Sequence, residues 1–270
     1  MDSSMDLKSM TLEELTDCVM ELGEKKFRAK QIYGWLHQKL VRSPEEMKNV
    51  PAKCIEKLLK EHPFYGVEEV EHYESKIDGT QKFLFSLHDG NMVESVLMKY
   101  KHGNSVCISS QAGCRMGCRF CASTLLGLSR NLYPSEMLDQ IYAIQKATGE
   151  RISHLVVMGT GEPFDNFESL CRMIELLCSP DGLNISHRNI TVSTCGIVPK
   201  IYEFADRNPQ VTLAISLHSP NDTMRKELMP IAYKYSLSEV LPACKYYFEK
   251  TGRRLTFEYS LVGGKNDSQE

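Results

Sequence analysis

The chain lacks any apolar run long enough to cross a bilayer, which takes about 20 residues. Its first residues, MDSSMDLKSMTLEELTD, hold no apolar core of the kind that directs secretion. Both absences point to a cytoplasmic protein with no membrane partner. Charge of one sign is scarce as well. The 32 Lys and Arg nearly balance 35 Asp and Glu, for a formal net charge of −3, so overall charge does not mark a nucleic-acid binder, although a local patch still can. A second Cys-x-x-Cys pair is missing, and with it the usual four-ligand pattern of structural zinc. Ten cysteines in a reducing compartment make a poor disulfide scaffold. The clustered ones read as metal-binding or catalytic, and the scattered ones as core fillers.

What is present divides into three stretches. Residues 1–62 read as a small helical accessory domain. Thr11 and Glu14 form a capping-box pattern ahead of an apolar helix. FRAKQIYGWLHQKL sets Phe27, Ile32, Trp35 and Leu36 near one face, with Lys25, Lys26, Arg28, Lys30 and Lys39 around it. Residues 63–106 read as a β-hairpin linker, because two β-prone runs flank HDGN and Asp-Gly is a strong hairpin signal. Residues 107–270, entered through the strand SVCISSQ, alternate strand and helix: ISHLVVMG, NITVSTCG, VTLAISLH and RLTFEYSLVGG are strands with helices between them. Five strands joined by four helices imply right-handed βαβ units and a parallel sheet, an α/β fold. The last strand ends without the helix that should follow, which implies an open edge and an incomplete barrel.

In parallel α/β folds ligands lie beyond the carboxyl ends of the strands. There the chain places QAGCRMGCRFCAST, GTGEP, STCG and SLHSPND after successive strands, so four polar segments should share one mouth. Cys114, Cys118 and Cys121 put three thiols in eight residues. Three thiolates suit a soft metal centre. An iron–sulfur cube takes one per iron and keeps a fourth iron open. Zinc is the competing reading, with His88, His102 or His218 as a fourth ligand at spacings that no zinc finger uses. Glycines in GTGEP let the backbone approach a ligand, and Glu162 has the polarity to accept from an ammonium group. Ser193 and Ser216–His218 suit ribose or carboxylate.

The spacing Cys-x-x-x-Cys-x-x-Cys, with Phe120 before its last cysteine, resembles the signature of radical S-adenosylmethionine (SAM) enzymes. Taken with MGTGEPFDN, ITVSTCGIVP, LAISLHSPNDTMRKELMPI and FEYSLVGGKND, it resembles the RlmN family of adenine carbon-2 methyltransferases acting on 23S rRNA and tRNA. KKFRAKQIYGWLHQK is similar to that family's RNA-binding accessory domain, and GEP rather than GEA separates the chain from the related carbon-8 enzymes. The resemblance implies a partial (β/α)6 barrel, a [4Fe-4S] cluster on Cys114, Cys118 and Cys121, and SAM contacts from Gly161, Glu162, Ser193, Ser216, Leu217 and His218. It also implies Glu94 as proton acceptor and Cys107 as a redox cysteine that releases methylated RNA through a disulfide. Read alone, Glu94 is a surface strand residue and Cys107 a buried thiol. A flavodoxin-like electron donor and a monomer are expected. The family's methyl-carrying cysteine sits in an AACGQL-like segment near its C-terminus, and this chain has none; nor does it have the NLIPxNP-like strand that closes the barrel. The reading is therefore of a truncated enzyme that does not complete methyl transfer. Its alternatives are an RNA-binding remnant and a radical SAM enzyme with another substrate.

Overall fold

The computed structural model describes residues 5–208 and 210–268. Three helices open it: α1 (Leu12–Glu21), α2 (Phe27–His37) and α3 (Ala52–Glu61). Thr11 caps α1 reciprocally with Glu14, as its sequence implies. On α2, Ile32 and Leu36 are buried but Phe27 is exposed and Trp35 only half-buried. The inward stripe instead runs through Ala29, Ile32, Tyr33, Leu36 and His37, as 3.6-residue periodicity requires.

Next come β1 (Glu68–Glu74), β2 (Gln81–Ser86), β3 (Met92–Tyr100) and β4 (Gly103–Ile108). These four pair antiparallel in sequence order. The segment read as a hairpin linker is thus part of the sheet. The expected strand into the cysteines breaks after Ile108, and a short strand β5 (Gln111–Gly113) pairs with β6 (Leu128–Asn131), bracketing the cysteine loop.

From there the βα rhythm holds. Helix α4 (Pro134–Thr148) leads to β7 (Ile152–Val157), α5 (Phe167–Cys178) to β8 (Ile190–Thr194), and α6 (Val198–Arg207) to β9 (Thr212–Ser216). A short helix α7 (Asp222–Leu228), which periodicity did not signal, precedes α8 (Leu237–Thr251) and β10 (Leu255–Glu258). The eight-stranded sheet has the order β1-β2-β3-β4-β7-β8-β9-β10, parallel from β4 onward. Phe257 on the terminal strand β10 is 47% exposed.

Register decides which side chains face which way. Val106, Leu155, Ile190, Val192, Leu213 and Ile215 are buried in the main core with apolar residues of the helices. Their neighbours of opposite phase, Cys107, Val156, Thr191, Ser193, Ser216 and Glu258, take the other face. Glu94 and Val96 share that face through the Val96–Cys107 pairing. The main core also runs without a break into the N-terminal helices, taking in Leu15, Val19 and Leu36. Polar ties cross the same junction: buried Lys8 pairs with Asp139 at 2.7 Å, and His37 Nδ1 meets the Tyr142 hydroxyl at 2.8 Å. No described helix is long and apolar enough to cross a membrane.

Candidate active site

A cavity of about 400 Å³ opens at the carboxyl ends of the parallel strands, within the range typical of small-molecule sites. It is lined by Cys114, Cys118 and Cys121 from the β5–β6 loop and by Gly161 and Glu162 after β7. Ser193 of β8, Ser216 and His218 at the end of β9, and Glu258 of β10 complete the polar lining. The sequence-based placement of four polar segments at one mouth therefore matches the structure. Leu217 is not in the lining; its amide donates to the Glu258 carbonyl at 3.0 Å. Glu94 and Cys107 lie outside the lining, on the sheet face that leads to it.

The cysteine loop is held from several sides. Arg115 Nε donates to Asp165 at 2.8 Å, the Cys114 amide to Gly127 at 3.0 Å, and the Arg119 amide to the Leu228 carbonyl at 2.9 Å. Burial raises the Cys118 thiol to about 12, and the neighbouring Cys114 and Cys121 add to the shift. Cys114 is raised by burial too. Cys114 and Cys118 are thus harder to deprotonate, and a cationic centre would have to displace their protons. Among the described residues no three His, Cys, Asp or Glu side chains converge on a single ion. Three thiols on one loop are a donor set that fits an iron–sulfur cluster, whose thiolates bind separate irons.

Glu162 departs from the simple picture of a free acceptor. Its Oε1 accepts from Thr194 Oγ1 at 2.7 Å and the Phe164 amide at 3.0 Å, and its Oε2 from the Cys195 amide at 2.8 Å. Burial still pushes its pKa above the usual carboxylate value. The carboxylate ties the β7 loop to the end of β8, which occupies three of its roughly four acceptor sites. Gly161 has φ +110°, and a Cβ there would stand 2.8 Å from the Gln111 amide nitrogen. Its close backbone approach is thus to the cysteine-bearing segment rather than to a ligand alone. His218 has φ 54°, left-handed for a non-glycine residue. It is fixed by the Ser260 amide donating to Nδ1 at 2.9 Å and by the edge of Phe120, centroids 4.7 Å apart.

Cys107 is half-buried, and burial raises its pKa. Glu94 is 51% exposed in its side chain and pairs with Lys82 at 2.5 Å.

Residues 108–270 match the family model of the radical SAM superfamily, and residues 5–62 that of the ribosomal RNA large subunit methyltransferase N-terminal domain. A relative from Lachnoclostridium phytofermentans, "Probable dual-specificity RNA methyltransferase RlmN", is 61% identical over 98% of this chain and 74% of its own length. Another of that description, from Lachnospira eligens, is 62% identical over 98% of this chain and 76% of its own. The chain belongs to the RlmN family of radical SAM methyltransferases. The crystal structure of a radical SAM methyltransferase from Sphaerobacter thermophilus superposes with TM-score 0.92 at 41% identity, covering 98% of this chain and 79% of that one. RlmN enzymes use a [4Fe-4S] cluster and SAM, and the three thiols with the cavity beside them fit that pair.

One polar residue of the lining, Glu258, and one buried behind it, Arg225, were not picked out from the sequence. Arg225 is fully buried, and its Nη2 donates to the Cys195 carbonyl at 2.7 Å, pinning the end of β8. Glu258 accepts from Ser193 Oγ at 2.6 Å. A carboxylate ending an apolar parallel strand was the available signal for Glu258. For Arg225, on an unsignalled helix, there was none.

Proposed function

We propose that this chain binds a [4Fe-4S] cluster through Cys114, Cys118 and Cys121 and SAM in the adjoining cavity, as part of an enzyme that methylates carbon 2 of an adenine in 23S rRNA and tRNA. The observation that carries this reading is the meeting of three loop thiols with Glu162, Ser193, Ser216 and His218 in one cavity, in a chain of the RlmN family. When bound, the cluster supplies the electron that cleaves SAM to a 5′-deoxyadenosyl radical. The residues of the chain do the rest. Gly161 and Glu162 set the floor of the cavity and favour an ammonium group. Ser193, Ser216 and the His218 side chain line the part that takes the nucleoside end. Cys107 and Glu94, on the sheet face leading to the cavity, act on the RNA adduct as redox thiol and proton acceptor.

Residues 1–62 serve as the RNA-docking unit and 107–270 as the radical SAM unit, whose sheet the strands of 63–106 extend. A flavodoxin-like protein supplies electrons, and the working form is a cytoplasmic monomer. The methyl-carrying cysteine has no counterpart among these 270 residues, so SAM cleavage is expected of them but completed methyl transfer is not. Anaerobic reconstitution tests the cluster assignment. Wild type should take up about four irons and four sulfides per chain with a broad visible absorbance, one thiolate per iron leaving one iron open. Cys118→Ala should lose most of both. Equal loading of the two proteins would overturn the assignment.

A further inference from the structure

The cysteine loop has a second, outer side. A groove of about 710 Å³ runs along it, walled by Arg115 and Met116 of the loop, by the starts of α5 and α6, and by Ile231, Lys234 and Tyr235 after α7. Met116 also lines the cavity that holds Cys114, Cys118 and Cys121, so at that point a single residue separates the two spaces. Met116 and Cys118 pack against the same small cluster of Cys195, Leu228 and Met229. Helices α5 and α6 pack on the core face of the sheet, whereas Cys107, Ser193 and Glu258 take the other face. A substrate adenine has to enter on that other face. An electron does not: its carrier only has to come close to the cluster.

The charge left over at the groove is positive. Its two carboxylates are already paired, Asp165 with Arg115 and Glu168 with Arg207. Among the described residues Lys226 and Lys234 are in no ion pair, and they lie over the rings of Tyr233 and Tyr235 at 5.8 and 5.3 Å. Exposed Arg119 is in none either, and its amide donates to the Leu228 carbonyl at 2.9 Å, which sets it at the same edge. One exposed acid without an ion pair, Glu227, stands among these three cations. The N-termini of α5 and α6 open here without side-chain caps and add their positive dipole ends. Tyr233 is 75% exposed, and tyrosine, methionine and arginine are the residues that protein interfaces favour. We propose that this groove, rimmed by Arg119, Lys226 and Lys234, is where an acidic one-electron carrier protein docks to reduce the cluster. In that step the carrier loses one electron, the cluster gains it, and no bond is made or broken. The inference rests on the reading that the three loop cysteines hold a cluster. It assigns the side from which electrons enter, and it leaves the RNA side clear while the carrier is bound.

The test uses the anaerobically reconstituted full chain and two acidic carriers, a flavodoxin and a plant-type ferredoxin. Binding of the oxidised carriers is measured by titration calorimetry. Cluster reduction by the reduced carriers is followed by electron paramagnetic resonance of rapidly frozen samples. Wild type should bind at least one carrier, and more weakly as salt is raised. The double charge reversal Arg119→Glu with Lys234→Glu should weaken that binding about tenfold or more and slow carrier-driven reduction by a similar factor. Excess dithionite, which needs no docking surface, should reduce the cluster of the variant as fully as that of wild type, and RNA affinity should stay within about twofold. Unchanged carrier binding and reduction in the variant would overturn the proposal. So would lost RNA affinity with carrier binding intact, which would give the groove to RNA. Should the double variant fail to take up its cluster, zero-length carbodiimide cross-linking of the wild-type proteins decides. Cross-links from carrier carboxylates to Lys226 or Lys234 are expected. Cross-links confined to other lysines would overturn the proposal, as would binding of neither carrier. A wild type that loads no iron would instead remove the cluster reading, before any carrier is added.

Discussion

At the scale of single residues, burial governs the chemistry. His37 is enclosed between α2 and α4, and burial lowers its pKa to about 3, with Lys8 adding a smaller effect. In the unfolded chain the same imidazole titrates near 6.5. The unfolded state therefore binds a proton that the folded state refuses as pH falls below that value. Stability is intact above about pH 6.5 and is lost progressively toward about pH 3, amounting to about 2 kcal/mol at pH 5. The expected result is a melting temperature that falls between pH 7 and pH 5 in wild type and falls less in His37→Asn. That variant keeps a polar partner for Tyr142 but cannot take the proton. Equal slopes in the two proteins would place the acid sensitivity elsewhere.

Residues also mark where the sequence was easy or hard to read. Cys114, Cys118 and Cys121 were legible because their chemistry depends on spacing along a single loop. Ser193 and Ser216 were legible as strand ends but not in polarity, because the hydrogen-bond direction depends on Glu258, 65 and 42 residues further on. Glu162 was read as a free ligand group, and two of its three internal donors, the Thr194 hydroxyl and the Cys195 amide, come from a segment that only tertiary structure brings near.

At the scale of elements, the N-terminal helices behave as part of the whole. Their apolar stripe belongs to the same core as the sheet, and Lys8 and His37 bond into α4. Deleting residues 1–62 would strip that core, so it cannot isolate an RNA-binding role. Surface charge can. Lys25 and Lys26 are exposed at the start of α2 beside exposed Phe27, and Lys39 sits over the Trp35 ring. Reversing Lys25 and Lys26 together to Glu should weaken RNA binding about tenfold or more near physiological salt and lower the salt slope by about 2, one for each phosphate no longer neutralised. The fold and cluster loading should be unaffected. RNA affinity equal to wild type at all salt concentrations would remove this face from the interface.

The βα rhythm was readable because each parallel strand carries apolar residues toward the core, and α4 and α8 end on left-handed glycines, Gly149 and Gly252. Strand β1 was missed because all seven of its residues are exposed, so nothing in its pattern separates it from a polar loop. Helix α7 was missed because it is seven residues long and its buried Arg225 breaks the apolar pattern.

At the scale of the whole molecule, an open α/β sheet gathers polar groups from five loops and strand ends at one mouth, and the β2–β3–β4 strands extend the same face toward it. The chain spans about three quarters of the length of the RlmN relatives it matches. The three loop cysteines and the cavity beside them lie within these residues. On the proposed function, SAM cleavage and methyl transfer to RNA are separate events, and the second needs a cysteine that these residues lack. The most direct measurement is the yield of 5′-deoxyadenosine when the anaerobically reconstituted chain is given SAM and dithionite. Production of 5′-deoxyadenosine by wild type, lost in Cys118→Ala, is the expected result. A cluster-loaded protein that binds SAM yet forms no 5′-deoxyadenosine under reduction would contradict the account.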